Sequence, residues 1–185
     1  MTSATDTPRE HEKLEFLERY WNALNTGDFD TFATLVADNC VVHYPGNHFL
    51  SGDQMGRAAV VDLYKKLYAI GIKQGTFIGE FHDGVTSDDH ACALIKYTLV
   101  LGGGAQLTGE AVGVFHIENG KMTEYWLLER DQRMINDIFN VSGKPMLAGG
   151  AKGALALSAL RNPLAVVRTA RRVVRQKRGV NKKML

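Results

Sequence analysis

Cysteine is scarce in this chain. Only Cys40 and Cys92 occur, both inside apolar strand-like runs and neither in CxxC or Cys/His spacing. That argues against a disulfide framework or a thiolate metal site, and two buried thiols in a reducing compartment are expected. Long apolar runs are lacking too. No stretch reaches the roughly 18 residues of a membrane span, and the start, MTSATDTPREHEK, has no secretory h-region or cleavage site. A cytoplasmic location is the expectation. Internal repeats are absent, and so is the GxxxxGK[ST] pattern. Gly102-Gly103-Gly104 lies between two strand-like runs and reads as a hairpin turn. The histidines do not cluster as metal ligands do: His43 and His48 are separated by a turn, while His82 and His90 flank turn residues.

Acid is missing from the last part of the chain. All 20 acidic residues fall at or before Asp137, where 11 Lys and Arg leave a net of −9, and the last 48 residues carry 11 basic residues and no acid. Two objects of opposite charge therefore share one chain. Apolar residues at 45% and charged residues at 23% suit a globular body, and 185 residues suit one domain plus an appendage.

What is present reads as helices followed by strands. Thr7, Pro8 and Glu10 form a capping-box start. Leu14, Leu17, Tyr20 or Trp21, and Leu24 then recur at helical spacing. Gly27 ends that helix, and Asp28 caps a short second one through Phe29, Phe32, Leu35 and Val36. A strand ending in VVHYPGN follows, then a Gly-rich loop, LSGDQMG. A third helix is expected from Arg57 to Ala69, with Val60, Val61, Tyr64, Leu67 and Tyr68 as its stripe and Gly71 as its stop. Residues 73–83, 91–101, 105–118 and 121–131 are rich in β-formers and separated by HDGVTSDDH, GGG and ENG. They read as consecutive antiparallel strands, with Asn119-Gly120 the strongest hairpin signal. A short helix from Arg133 to Phe139 closes the body. The fold class is α+β, with helices on one face of a curved sheet.

Three stretches in this order, RYWNALNTGDFDTFATLVADNCVVHYPG, LSGDQMGRAAVVDLYKKL and ENGKMTEYWLLERDQ, resemble the SnoaL-like branch of the NTF2-like superfamily. The resemblance covers residues 10–140. It implies an α+β cone in which N-terminal helices and a strongly bent antiparallel or mixed sheet enclose one deep apolar pocket, in many members as a dimer through the outer sheet face. Relatives include ketosteroid isomerases, polyketide cyclases, epoxide hydrolases and non-catalytic binders, so the fold names no reaction.

Ketosteroid isomerase works with an aspartate base and an oxyanion hole of a tyrosine and a protonated aspartate. Carried over, its helix tyrosine matches Tyr20, but its base falls on Tyr44 and its protonated aspartate on Gly113. A tyrosine of ordinary pKa does not replace a carboxylate base, so that constellation is rejected. The SnoaL-like pattern implies instead His43, two positions before the proline, and Asp131 on the last strand. In this reading His43 is the base, Asp131 orients it and Tyr20 donates to an enolate oxygen. The competing reading makes His43 and Asp131 ordinary strand-end residues. By the resemblance Tyr44, Trp21, Tyr125, Leu127, Glu129, Phe115 and Gly113 contact the ligand, with Glu129 and Asp131 near the mouth and His116 turned outward. Neither metal nor redox cofactor is implied.

Residues 141–160 form a Gly/Ala-rich, partly helical linker, and 161–185 a basic amphipathic tail. Val166, Val167, Ala170, Val173 and Val174 share one helical face, and Arg168, Arg171, Arg172, Arg175 and Arg178 crowd the other, with Lys177 nearby. Such a helix suits an anionic membrane surface or an acidic protein partner, including the body of a dimer mate. Nucleic acid is disfavoured because the tail has no aromatic side chain to stack. Two functions follow as expectations. One is an isomerase- or cyclase-type enzyme acting on a hydrophobic ketone such as a polyketide, terpenoid or sterol. The other is a non-catalytic lipid or small-molecule carrier held at the inner membrane face by the tail.

Overall fold

A computed structural model describes residues 8–143 and 152–183. Helix α1, Pro8–Thr26, buries Phe16, Leu17, Tyr20, Ala23 and Leu24, a stripe of one helical face. The expected cap at Thr7 lies outside the described residues. Gly27, at φ +71°, ends α1, and Asp28 accepts from the Thr31 N–H at 3.0 Å to start α2, Phe29–Thr34.

Strand β1, Val36–Tyr44, is followed by a second, short strand, β2, Gly52–Met55, where the sequence reads as a loop. The segment GDQM lacks alternation because β2 is a sheet edge, largely exposed and held by pairing with β1. Helix α3, Arg57–Leu67, runs on into a wider π turn, Tyr68–Ile72. Gly71 is therefore buried inside that turn and is not the stop. The overrun delays β3, Phe77–Thr86, beyond its expected start at residue 73. Strand β3 also continues through His82-Asp83-Gly84, because a bulge between Phe81 and Asp83 absorbs the step out of phase.

Strands β4, His90–Val100, β5, Gln106–Glu118, and β6, Lys121–Glu129, complete the meander. Asn119 and Gly120, at φ 51° and 70°, make the tight turn between β5 and β6. The sheet order is β2-β1-β6-β5-β4-β3, antiparallel except where β1 runs parallel to β6. Irregularities in three of the pairings bend it. Helices α1 to α3 cover its concave face, burying Phe32, Leu35, Val42, Val60, Leu63 and Phe115 between them. Cys40 is buried there, Cys92 is half-buried and both are free thiols.

Helix α4, Gln132–Ile138, and a π turn, Phe139–Gly143, close one end of the cone. Residues 144–151 of the expected linker lie outside the described residues, but Lys152–Arg161 is a regular helix, α5. The tail is helix α6, Pro163–Lys183.

Candidate active site

The concave face and the helices over it enclose a cavity of about 440 Å³, within the usual range of small-molecule pockets. Its wall is mostly apolar, its polar side chains being hydroxyls, the Trp21 indole, the Asn25 amide and one carboxylate. Tyr20 and Trp21 come from α1, Tyr44 from β1, Tyr64 from α3, Tyr97 from β4, and Tyr125, Leu127 and Glu129 from β6. Among the described residues Glu129 is the only charged side chain in that wall.

Strand alternation supplies most of this set. In β6, Tyr125, Leu127 and Glu129 share the inner face, and in β4 Ile95, Tyr97 and Leu99 do the same. Two glycines of β5 make room for the rings. Gly109 is paired with Tyr97, and a Cβ there would overlap the Tyr97 ring and hydroxyl. A Cβ on Gly113 would come within 2.8 Å of Tyr125 Cε2.

Tyr97 donates its hydroxyl to Glu129 Oε2 at 2.7 Å. Burial pushes the Glu129 carboxyl up, the Tyr97 hydrogen bond pulls it down and the charge of Asp131 pushes it up again, leaving it at about 7. A carboxyl in that state both takes and returns protons near neutral pH. In the same wall the Tyr20 and Tyr64 hydroxyls are 2.5 Å apart. Whichever of them donates, one hydroxyl hydrogen of the pair is left for a third oxygen. Burial raises the pKa of Tyr20, Tyr44, Tyr64 and Tyr125, so all four stay protonated and serve as neutral donors.

Tyr20, Trp21, Tyr44, Tyr125, Leu127 and Glu129 thus line the cavity, as their strand and helix phases indicate. Gly113 and Phe115 face the same way but lie one layer deeper, Phe115 with its ring centroid 4.5 Å from that of Tyr125. The expected pair of His43 and Asp131 is not formed. His43 sits on the outer face of the sheet, stacked on Trp126, with Nδ1 2.8 Å from Asp53 and Nε2 2.9 Å from Glu124. Hydrogen bonding to Glu124 outweighs burial and raises its pKa. The cause is the two-residue period of β1: Val42 and Tyr44 are buried, so the residue between them points away. Asp131 is not on β6. The chain turns after Glu129, and Asp131 caps α4, accepting from the Met134 N–H at 2.9 Å and pairing with Arg172.

The two residues that sequence reasoning passed over are Tyr64 and Tyr97. Tyr64 reads as one more apolar member of the α3 stripe. Tyr97 lies between Ile95 and Leu99 at an alternation that is visible in the sequence. His116 does face outward, its Nε2 2.6 Å from His90 Nε2. His48 stacks on Phe139 behind the cavity wall, where burial pushes its imidazole down to about 4. Among the described residues no group of three or more His, Cys, Asp and Glu side chains is placed to hold a metal ion. No described helix is long and apolar enough to cross a membrane.

Comparison with known proteins places this geometry. Bal32a, from a soil-derived mobile gene cassette, superposes with a TM-score of 0.59 at 27% identity, over 66% of this chain and 92% of its own. A protein described as a SnoaL-like polyketide cyclase from Jannaschia sp. CCS1 gives 0.58 at 12% identity, over 69% and 92%. An LEH-like epoxide hydrolase from M. tuberculosis gives 0.52 at 19% identity, over 86% and 98%. At such identities the last two report the fold alone. No curated protein is detectably similar in sequence. The SnoaL-like domain family matches residues 17–125. With the helix-covered bent sheet and the tyrosine-lined cavity, this makes the chain a member of the SnoaL-like family of the NTF2-like superfamily.

Proposed function

We propose that the protein is an isomerase- or cyclase-type enzyme that moves a proton next to the carbonyl of a hydrophobic ketone, with Glu129 as the acid–base group. The observation that supports this reading is the placement of one carboxyl, at about 7, in a mostly apolar cavity whose other polar side chains are mainly tyrosine hydroxyls. Carboxylate Glu129 removes the proton from the carbon beside the carbonyl. The negative charge moves to the carbonyl oxygen, where the Tyr20–Tyr64 pair supplies a hydrogen bond in a largely apolar site. Return of the proton from Glu129 to another carbon completes an isomerisation. Attack of the enolate carbon on a second carbonyl of the same molecule forms the new carbon–carbon bond, and return of the proton from Glu129 to the resulting alkoxide completes a ring closure. The chain itself supplies every group this proton transfer needs, so no cofactor is invoked.

The test is deuterium uptake. In deuterium oxide, wild-type protein should speed exchange beside the carbonyl of a hydrophobic bicyclic ketone such as β-tetralone, and Glu129→Gln should lose about 100-fold to 10,000-fold of that acceleration. Equal exchange by both proteins refutes the assignment. The carrier reading draws support from Tyr97 and Glu129 already satisfying each other. It predicts a retained ligand in native mass spectrometry and no acceleration by either protein. As for assembly, we propose a homodimer through the outer sheet face, where Ile78 and Leu128 are 56% and 57% exposed. Leu128→Glu should then lower the molar mass measured by light scattering to that of a monomer.

A further inference from the structure

Helix α6 does not present its basic face as a unit. One side rests on the body through residues spaced four apart. Arg168 Nε lies 2.9 Å and Nη2 2.5 Å from the two oxygens of Asp137. Arg172 bridges Asp137 and Asp131 at 3.0 and 3.1 Å. Gln176 accepts from the Thr108 N–H and donates to the Thr108 carbonyl at 3.1 and 3.2 Å. Ala165 is buried beside this ladder and Val173 packs on the Leu107–Met134 cluster. The body thus covers one seam between the apolar and basic faces, and Arg168 and Arg172 are neutralised there.

The opposite seam faces out. At 100° per residue, Val167, Ala170 and Val174 lie across the helix from Ala165, with Arg171 and Arg178 directly beside them. Val167 and Val174 are 45% and 48% exposed, and the row is continued by Leu160 and Leu164 at 77% and 70%. Arg171, Arg175, Lys177 and Arg178 are exposed, and among the described residues none of the four has an ion-pair partner. We propose that this outward face of α5 and α6 docks on an anionic lipid bilayer, with the Leu and Val row at the acyl boundary and the four cations on headgroup phosphates.

The features of that face select the occupant. No acidic residue follows Asp137, so the partner is anionic. The apolar row is a convex ridge, which needs a compliant apolar layer next to a plane of anions; a bilayer surface supplies both. Nucleic acid supplies anions without that layer, and the tail offers no aromatic side chain to stack on bases. A second copy packed ridge to ridge would bring the same cations against this face, and the acidic body of a second copy supplies anions without a compliant apolar layer for the ridge. Arg168 and Arg172 belong to the sequence motif but not to this surface.

The experiment is co-sedimentation of the full-length protein with phosphatidylcholine vesicles, with and without phosphatidylglycerol. Binding is expected only with phosphatidylglycerol and should weaken as salt rises. Arg171→Glu/Arg175→Glu/Arg178→Glu should reduce vesicle affinity by about a hundredfold or more. Leu160→Ser/Leu164→Ser should reduce it while leaving the residual binding salt-sensitive. These positions are exposed, so circular dichroism and thermal melting should match wild type. Any of three results overturns the proposal: no binding to phosphatidylglycerol vesicles, equal binding by the triple-glutamate variant, or tighter binding to a short DNA duplex than to the vesicles. Self-association without lipid that the serine variant abolishes would assign the ridge to a second copy and overturn it as well.

Discussion

Replacing Glu129 by glutamine should stabilise this protein above neutral pH and do so much less near pH 5. The folded carboxyl holds its proton up to about 7, against an ordinary value of 4.5. Between those values the folded chain binds a proton that the unfolded chain has released. Stability therefore falls as pH rises through that window, by about 1.4 kcal/mol per pH unit. Integrated over the whole window, the penalty is about 3 kcal/mol, and the part that develops between pH 5 and pH 8 is about 2.5 kcal/mol. Glutamine has nearly the same shape, keeps an oxygen to accept from Tyr97 and does not ionise. Urea unfolding of both proteins at the two pH values measures the difference of differences. Constant costs of the amide and the titration of all other groups cancel in it. At pH 8 the melting temperature of the variant should gain roughly 2–4 °C for each kcal/mol. An equal effect of the substitution at pH 5 and pH 8 would refute the burial argument for Glu129 and, with it, the basis for assigning it the proton.

Three further outcomes follow from the same geometry. Tyr97→Phe removes the hydrogen bond that favours the charged form of Glu129, so the rising limb of the rate–pH profile should move alkaline by about one unit or more. Gly109→Ala places a Cβ where the Tyr97 ring lies; it should cost about 1–3 kcal/mol in unfolding experiments and shift the same limb in the same direction. Arg168→Ala/Arg172→Ala leaves Asp137, 4% exposed, without its partners at a cost of about 3–5 kcal/mol. Loss of amide protection across α6 in hydrogen exchange would show the undocking. In the intact protein burial pushes the Asp137 carboxyl up, but Arg168 and Arg172 outweigh it and hold it below its ordinary 3.8. Its contribution is therefore complete above that value and lost as pH falls through the depressed one.

Local periodicity made much of this molecule legible. The α1 stripe, the Asn119-Gly120 turn and the inward phase of Tyr125, Leu127 and Glu129 all follow from neighbours a few residues apart, and so did the order of elements that resembles the family. The outward turn of His43 was equally local, since Val42 and Tyr44 flank it. Its apparent partnership with Asp131 came from motif position, which does not say where a strand stops.

Residue order and spacing alone establish the α+β class, the faces of the strands and the division into an acidic body and a basic, amphipathic tail. Packing of distant segments set which of those residues meet in the cavity. Glu129 is one of 20 acidic residues, and burial under the walls that close over it, aided by the nearby charge of Asp131, lifts its carboxyl to about 7. Tyr97 reaches it from 32 positions away, and Arg168 and Arg172 find Asp137 across 31 and 35. Side-chain period is carried by the backbone and is visible at short range, whereas desolvation and charge pairing depend on distances that exist only once the sheet has bent and the helices have closed on it.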